Sequence, residues 1–108
     1  MTKAQPLTTA QHVADTILNQ LGARRFLVMT GARELVATER GLQFKLPANF
    51  AKDGVNMIRV ELTPLDTYDV IAGRWARLDF KEKARESMVY AEDLQRAFTR
   101  LTGLDTHI

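Results

Sequence analysis

The segment that decides the fold lies near the middle of the chain and reads Met57-Ile58-Arg59-Val60-Glu61-Leu62-Thr63. Apolar and polar side chains alternate along it, so that the apolar ones share one face and the polar ones the other. This alternation predicts a strand with one buried face and one face toward solvent. The segment 42–46 repeats the pattern, since Leu42, Phe44 and Leu46 alternate with polar residues, and it ends at Pro47.

Further strands are predicted around these two segments, bounded by glycine, proline or aspartate. Residues 25–30 and 34–38 have strand composition. A strand is also predicted at 67–72, broken by Gly73, and a last one at 75–81, whose face formed by Ala76, Leu78 and Phe80 points toward the core. The charged stretch 81–86 is interpreted as a solvent-exposed turn. The connections are too short for parallel crossovers, so five or six antiparallel strands are expected.

Two amphipathic helices are predicted, one on each side of the strands. A capping box formed by Thr8 and Gln11 predicts a start near Thr9, and Gly22 is suited to a left-handed cap after Leu21. The apolar positions of this helix follow the i, i+3, i+4, i+7 spacing of a buried stripe. They are Ala10, Val13, Ala14, Ile17, Leu18 and Leu21.

The second helix is predicted to begin between Ser87 and Ala91 and to stop at Gly103. Its buried stripe consists of Leu94, Ala97, Phe98 and Leu101. The sequence therefore predicts an α+β fold in two layers, an antiparallel five- or six-stranded sheet flanked in sequence by two helices that pack on one face. Residues 1–108 are expected to form a single domain, with residues 1–7 as a flexible arm.

Composition limits the classes of function. The chain has 108 residues, 45% hydrophobic and 26% charged, which is usual for a globular domain. It contains no cysteine, which excludes disulfides, thiolate metal sites and thiol nucleophiles. No signal-peptide core is visible at the start, and the longest apolar run, residues 26–29, is far below the ~20 residues that span a bilayer. A cytoplasmic protein that does not enter membranes is expected.

Catalytic groups are scarce. Ser87 has no accompanying base, and His12 and His107 are far apart in the sequence. Asp53, Glu61, Asp66 and Asp69 could supply oxygen ligands for a magnesium ion. The simpler account is that Asp53 and Asp66 occupy turns, where aspartate is common. The prediction is a protein that is not an enzyme, with no catalytic residue, metal or cofactor.

The sheet face away from the helices offers the best candidate site. Alternation is expected to bring basic residues together around one tryptophan, as in proteins that track and stack single-stranded nucleic acid. The predicted nucleic-acid-binding residues are Arg25, Lys45, Arg59, Trp75, Arg77 and Lys81. Acidic residues on the same face (Glu61, Asp69 and Asp79) favour instead a solvated face with cross-strand ion pairs, and Trp75 with Ile71 could equally form a dimer or partner interface.

Three groups of segments resemble a family of small proteins carried by bacteriophages, prophages and conjugative elements. The first runs from Leu18-Asn19-Gln20-Leu21-Gly22 to Met29-Thr30-Gly31-Ala32, and the second from Asn49-Phe50-Ala51-Lys52-Asp53-Gly54-Val55-Asn56 to Asp66-Thr67-Tyr68-Asp69-Val70. The third is Val89-Tyr90-Ala91-Glu92-Asp93-Leu94, followed by Phe98 and Thr102-Gly103-Leu104. The resemblance implies a mobile element inside a bacterial cell and carries over no catalytic residue.

These observations predict a non-enzymatic accessory protein of a phage or mobile element that binds nucleic acid, single-stranded rather than duplex, through the open sheet face. The alternative is a protein-interaction module that inhibits or adapts a host protein. Its partner would then be a host or phage protein, or a second copy of the chain in a homodimer.

Overall fold

The computed structural model describes residues 9–48 and 50–106. The predicted arm, the capping residue Thr8 and His107 lie outside these residues. Five antiparallel strands form one sheet in the order in which they follow along the chain. They are β1 (Arg33–Ala37), β2 (Gly41–Lys45), β3 (Met57–Leu62), β4 (Tyr68–Ala76) and β5 (Asp79–Val89). The helices are α1 (Thr9–Leu21), α2 (Ala23–Thr30) and α3 (Leu94–Thr102).

Alternation in the sequence becomes a continuous apolar face because the strands pair in register. Phe44 pairs with Ile58, which pairs with Ala72, and the next row places Val60 beside Val70. All five of these side chains are buried. The hydrogen-bonded ladder thus aligns the apolar positions of β2, β3 and β4 under the helices, which is the arrangement that the pattern of residues 42–46 and 57–63 predicts.

Three phenylalanine rings join the helices to this apolar face. Phe26 of α2 lies with its ring centroid 5.3 Å from that of Phe44 and 5.1 Å from that of Phe98 in α3, both edge-to-face. The rings of Phe44 and Phe98 are 6.2 Å apart. All three side chains are fully buried. Because α1 also contacts β1, β2 and the other two helices, the three helices cover the same face of the sheet.

The predicted fold class is confirmed: the sheet is antiparallel, has five strands and carries its helices on one face. The first helix spans the predicted residues, and β1, β2 and β3 lie where the alternation indicates. Three residues of the predicted α1 stripe, Ala10, Val13 and Leu18, are only partly buried, although Val13 and Leu18 still pack against the core. The prediction that Ala76 and Leu78 face the core is wrong, because both are exposed.

The predicted strand at residues 25–30 is wrong, because this segment forms helix α2. Phe26 and Thr30, four residues apart, are its buried positions, while Val28 is 74% exposed. The hydroxyl of Thr30 donates a hydrogen bond of 2.8 Å to the carbonyl of Phe26. A short apolar run can form either a buried strand or a helix, and here the helical spacing of two core positions decided the outcome.

The end of the sheet also differs from the prediction. Strand β4 continues through Gly73 to Ala76, and the chain turns at Arg77 and Leu78 into β5. The stretch 81–86, interpreted as a turn, therefore lies within an edge strand, where charged residues are common. Two register shifts, one at Lys83 and one just before Val89, bend β5. Met88, next to the second, has a left-handed backbone with φ of 58°.

The second helix begins later than predicted. A single 3₁₀ turn at residues 91–93 precedes α3, and Ser87 belongs to β5 rather than to a helix start. Gly103 ends α3 in the predicted left-handed conformation, with φ of 77°. Gly22 has φ of 126° and joins α1 to α2, so it acts as a hinge between two helices rather than as a left-handed cap before a strand.

Replacing Phe98 by alanine should lower the free energy of unfolding by ~3–5 kcal/mol, because the side chain is fully buried against two other rings and would leave a cavity. Denaturant unfolding followed by circular dichroism measures this. The matched control is Val28→Ala on the exposed side of α2. Its free energy of unfolding should lie within ~0.5 kcal/mol of that of the parent. A loss below ~1 kcal/mol for Phe98→Ala would contradict the described core.

Candidate functional site

The sheet face that the helices leave uncovered, here called the open face, is the candidate site. Strand register places its residues in rows across the sheet. One row contains Gln43, Arg59, Ile71 and Arg85, the next Lys45, Met57, Gly73 and Glu82, and a third the pair Glu61 and Asp69. Trp75 and Phe80 form the last row, toward the β4–β5 turn.

An aromatic and cationic cluster stands at the centre of the open face. The guanidinium carbon of Arg59 lies over the ring of Phe80, 4.5 Å from its centroid. The Nε of Arg59 donates a hydrogen bond of 2.9 Å to Oε1 of Gln43. The Phe80 ring packs on Gly73, whose missing side chain gives the ring its space. Phe80 and Trp75 are directly opposite each other on neighbouring strands, so both aromatic side chains lie beside the held arginine.

Asn56 fixes the backbone of the strand that carries Trp75. Its side-chain amide donates to the carbonyl of Trp75 at 3.0 Å, and the N–H of Trp75 donates to the Asn56 side-chain oxygen at 2.7 Å. The backbone N–H of Asn56 adds a bond of 3.0 Å to the carbonyl of Gly73. These bonds extend the pairing of β3 with β4 by one residue, to Asn56. The Asn56 side chain bonds to the backbone N–H and carbonyl of Trp75, as a neighbouring strand would do.

A depression of about 370 Å³ lies between this cluster and β1. Met57, only 4% exposed, forms its floor, and Trp75 and Arg59 contribute to its wall. The other lining residues are Glu34, Val36, Gln43 and Lys45. The depression therefore combines an apolar floor with a rim of both charges.

Carboxylates engage three of the four cations on this face. Lys45 Nζ and Arg33 Nε lie 3.3 and 3.9 Å from carboxylate oxygens of Glu34. Arg85 donates two hydrogen bonds, of 3.2 and 3.0 Å, to Glu82 and lies 3.8 Å from Asp69. These hydrogen bonds hold the pKa of Glu82 below its ordinary value.

The open face carries cations and carboxylates in equal number. Its cations are Arg33, Lys45, Arg59 and Arg85, and its carboxylates are Glu34, Glu61, Asp69 and Glu82, a formal balance of zero from four against four. Exposed ion pairs of this kind stabilise a fold only weakly. Their importance here is for ligand choice, since a polyanion arriving at the face would meet carboxylates beside each of the paired cations.

The structure brings together three of the six predicted site residues: Lys45, Arg59 and Trp75 line the same depression. Arg25 is exposed on α2, which packs on the other face of the sheet, because residues 25–30 are helical. Arg77 lies in the turn between β4 and β5. Lys81 pairs with Arg74 while its neighbour Phe80 pairs with Trp75, so the predicted orientations of Lys81 and Phe80 are both wrong.

The reason for the last two errors is one turn. The prediction assumed that a single strand runs from residue 75 to residue 81, whereas the chain reverses at Arg77 and Leu78. Reversal at this position makes Trp75 and Phe80 cross-strand partners on one face. Phe80 and Asn56 are the functional candidates that the sequence analysis missed. A two-residue turn at positions 77–78 would have revealed Phe80, but Arg-Leu lacks the asparagine or glycine that usually marks such a turn.

The candidate catalytic residues named from the sequence lie on different elements. His12 is exposed on α1 and Ser87 is exposed on β5. Within residues 9–48 and 50–106, no group of three or more acidic or histidine side chains is arranged to hold a metal ion. Of the helices in this part of the chain, none has the length and apolarity required to cross a membrane.

Comparison of the chain with models of known protein families, with curated proteins and with solved structures gave no match. The resemblance to proteins of bacteriophages and conjugative elements therefore stays a prediction.

Replacing Gly73 by alanine should destabilise the protein by ~1–3 kcal/mol, because a methyl group there collides with the Phe80 ring and with the backbone carbonyl of Lys81. Denaturant unfolding measures the loss. In a Phe80→Ala background the same change should cost less, since part of the collision is gone. An equal cost in both backgrounds would mean that the ring does not press on Gly73.

Proposed function

We propose that this chain is a non-catalytic binding domain whose protein partner docks on the open face of the sheet. The observation that carries the proposal is the depression between β1 and Trp75, with its apolar floor and its rim of both charges. Binding rather than catalysis is proposed because, among the described residues, no serine, threonine, tyrosine or histidine side chain lines this depression.

The residue types of the open face favour a protein as the ligand. Protein interfaces are enriched in Trp, Phe, Met and Arg, and their strongest contacts come from Trp and Arg set in well-packed surroundings. Arg59 has these surroundings, since Phe80 and Gln43 hold its side chain, and Asn56 fixes the backbone that carries Trp75. Ordering the Arg59 side chain in advance lowers the entropy cost of binding.

Charge supports the same choice. Four carboxylates and four cations lie on the open face, so the complementary surface is one that also carries both charges. A protein surface has this property and a polyanion lacks it. If the predicted mobile-element setting holds, the partner would be a host or phage protein.

Site-specific photo-crosslinking tests the proposal. A benzophenone amino acid at Val36, half-exposed at the depression, should form a defined protein adduct in cells of the organism that encodes the chain. The matched control places the same group at Val28, an exposed valine on α2 in the helical layer. The Val36 adduct should also disappear in a Trp75→Ala variant, since loss of a central tryptophan commonly costs ~2 kcal/mol or more of binding energy.

The pattern of adducts decides between the alternatives. An adduct at Val36 that depends on Trp75 and is absent at Val28 supports a partner on the open face, and its mass identifies either another protein or a second copy of the chain. Equal adducts at both positions, or none at Val36, would overturn the proposal.

Single-stranded nucleic acid is a second candidate for the same face, favoured by one specific arrangement. Trp75, Lys45 and the guanidinium plane of Arg59 border one depression, and bases stack on both indole rings and guanidinium planes. Phe80 strengthens this arrangement, because it holds the Arg59 plane in position.

A salt titration with a labelled single-stranded oligonucleotide tests this second candidate. Trp75→Ala should cost ~1–3 kcal/mol of binding energy, and Arg59→Ala should reduce the dependence of log affinity on log salt by about one unit. Arg24→Ala, on the exposed side of α2, is the control and should change the affinity little. Binding that is unaffected by both open-face variants would remove nucleic acid from this face.

A further inference from the structure

The outer part of the β4–β5 hairpin carries cations that no carboxylate engages. The pairing of β3 with β4 ends at Gly73, whose partner on β5 is Glu82, so residues 74–81 extend past β3 as a two-stranded ribbon. This segment, here called the basic ribbon, has three cations against one carboxylate, a formal balance of +2. They are Arg74, Arg77 and Lys81 against Asp79.

The cations of the ribbon are free of carboxylate partners. Within the described residues, Arg77 and Lys81 take part in no ion pair, and Arg74 donates only to the carbonyl oxygen of Gly54, at 3.3 Å. On the open face, by contrast, Arg85 donates to Glu82. The positive charge of the ribbon is therefore available to an external anion, whereas most of that on the open face is engaged by carboxylates.

The register directs part of this charge to one side. Arg74 and Lys81 are direct cross-strand partners and point away from the face that carries Trp75. Cross-strand neighbours are about 5 Å apart, so these two cations form one pair of charges, and Arg77 adds a third in the turn that ends the ribbon.

The tip of the ribbon presents an apolar side chain on a strained backbone. Arg77 and Leu78 form the two-residue turn with φ of 53° and 65°, and Leu78 is 88% exposed. This type of turn favours Asn-Gly, because left-handed conformations are unfavourable for residues such as leucine. Arg77 and Leu78 are therefore unfavourable residues for the stability of this turn. Strain of this kind is common where a segment contacts a ligand.

We infer that the basic ribbon is a second binding site, which inserts into a groove of duplex nucleic acid. A two-stranded β-ribbon fits the major groove, where apolar side chains contact base edges and in particular the thymine methyl group. Arg74, Arg77 and Lys81 neutralise backbone phosphates, and Leu78 at the tip contacts the bases. The inference is independent of the proposed function, because it uses residues outside the depression of the open face.

Salt titrations with a labelled DNA duplex of mixed sequence test the inference on the full chain. The ribbon variant is Arg74→Gln, Arg77→Gln and Lys81→Gln together. The matched control is Arg24→Gln, Arg25→Gln and Arg40→Gln, which removes three exposed cations that also lack ion pairs within the described residues. Both triple variants change the net charge equally, so they separate a local site from general attraction.

The ribbon variant should reduce the slope of log affinity against log salt by about three units, one for each lost contact, whereas the control should leave most of it. Leu78→Asn, which keeps a residue tolerant of the left-handed turn, should weaken binding without changing the slope, since no charge is lost. Circular dichroism of each variant confirms that the fold is retained.

Several results would overturn the inference. Absence of duplex binding by the parent at low salt, or equal loss in both triple variants, would remove the ribbon as a nucleic-acid site. Tighter binding of either separated strand than of the duplex would contradict insertion into a groove. If polyglutamate displaced the labelled duplex as well as unlabelled DNA of equal charge, the ribbon would be assigned to acidic protein surfaces. An unchanged affinity of Leu78→Asn for the duplex would contradict a contact between the tip and the bases.

Discussion

The edge-to-face contact of Phe26 with Phe44 and Phe98 joins both ends of the chain to the middle of the sheet. Phe26 belongs to the short helix that follows α1, Phe44 to β2 and Phe98 to the last helix, so one cluster holds three segments that are distant in sequence. Rings that meet in this way contribute ~0.5–1.5 kcal/mol per pair beyond the area that they bury. Because the cluster requires α2 and α3 on the same side of β2, it leaves the other side of the sheet without a helical layer.

On that uncovered side, the apolar residues are covered by other side chains of the same face. Met57 and Ile71 are nearly buried although no helix covers them, because Arg59, Phe80 and Trp75 lie across the same rows of the sheet. A face built in this way is apolar beneath and charged at its edge. It can remain in water without a partner and still offer an apolar floor to one, which agrees with the composition of transient protein interfaces.

The sequence predicted an element correctly where neighbouring residues determine its structure, and incorrectly where a contact with distant residues does. Alternation at residues 42–46 and 57–63 identified β2 and β3, since one apolar face is sufficient to define a half-buried strand. The run Phe26 to Met29 has no such periodicity, and its helical form depends on the contact of Phe26 with two rings that are distant in sequence. The open face was placed correctly for Lys45, Arg59 and Trp75, but the turn at Arg77 and Leu78 has no recognisable turn residues, so Phe80 and Lys81 were exchanged between faces. Whether these residues bind a ligand cannot be derived from a local pattern, because it depends on a second molecule.

Strand β5 forms one edge of the sheet over eleven residues, a length that would ordinarily invite another strand to pair with it. The register shifts at Lys83 and near Met88 interrupt the straight row of backbone donors and acceptors, and a charged side chain occupies six of the eight positions from 79 to 86. Both features are means by which proteins prevent edge-to-edge aggregation. Strand addition is thereby unfavourable at this edge for a second copy and for an extended peptide alike.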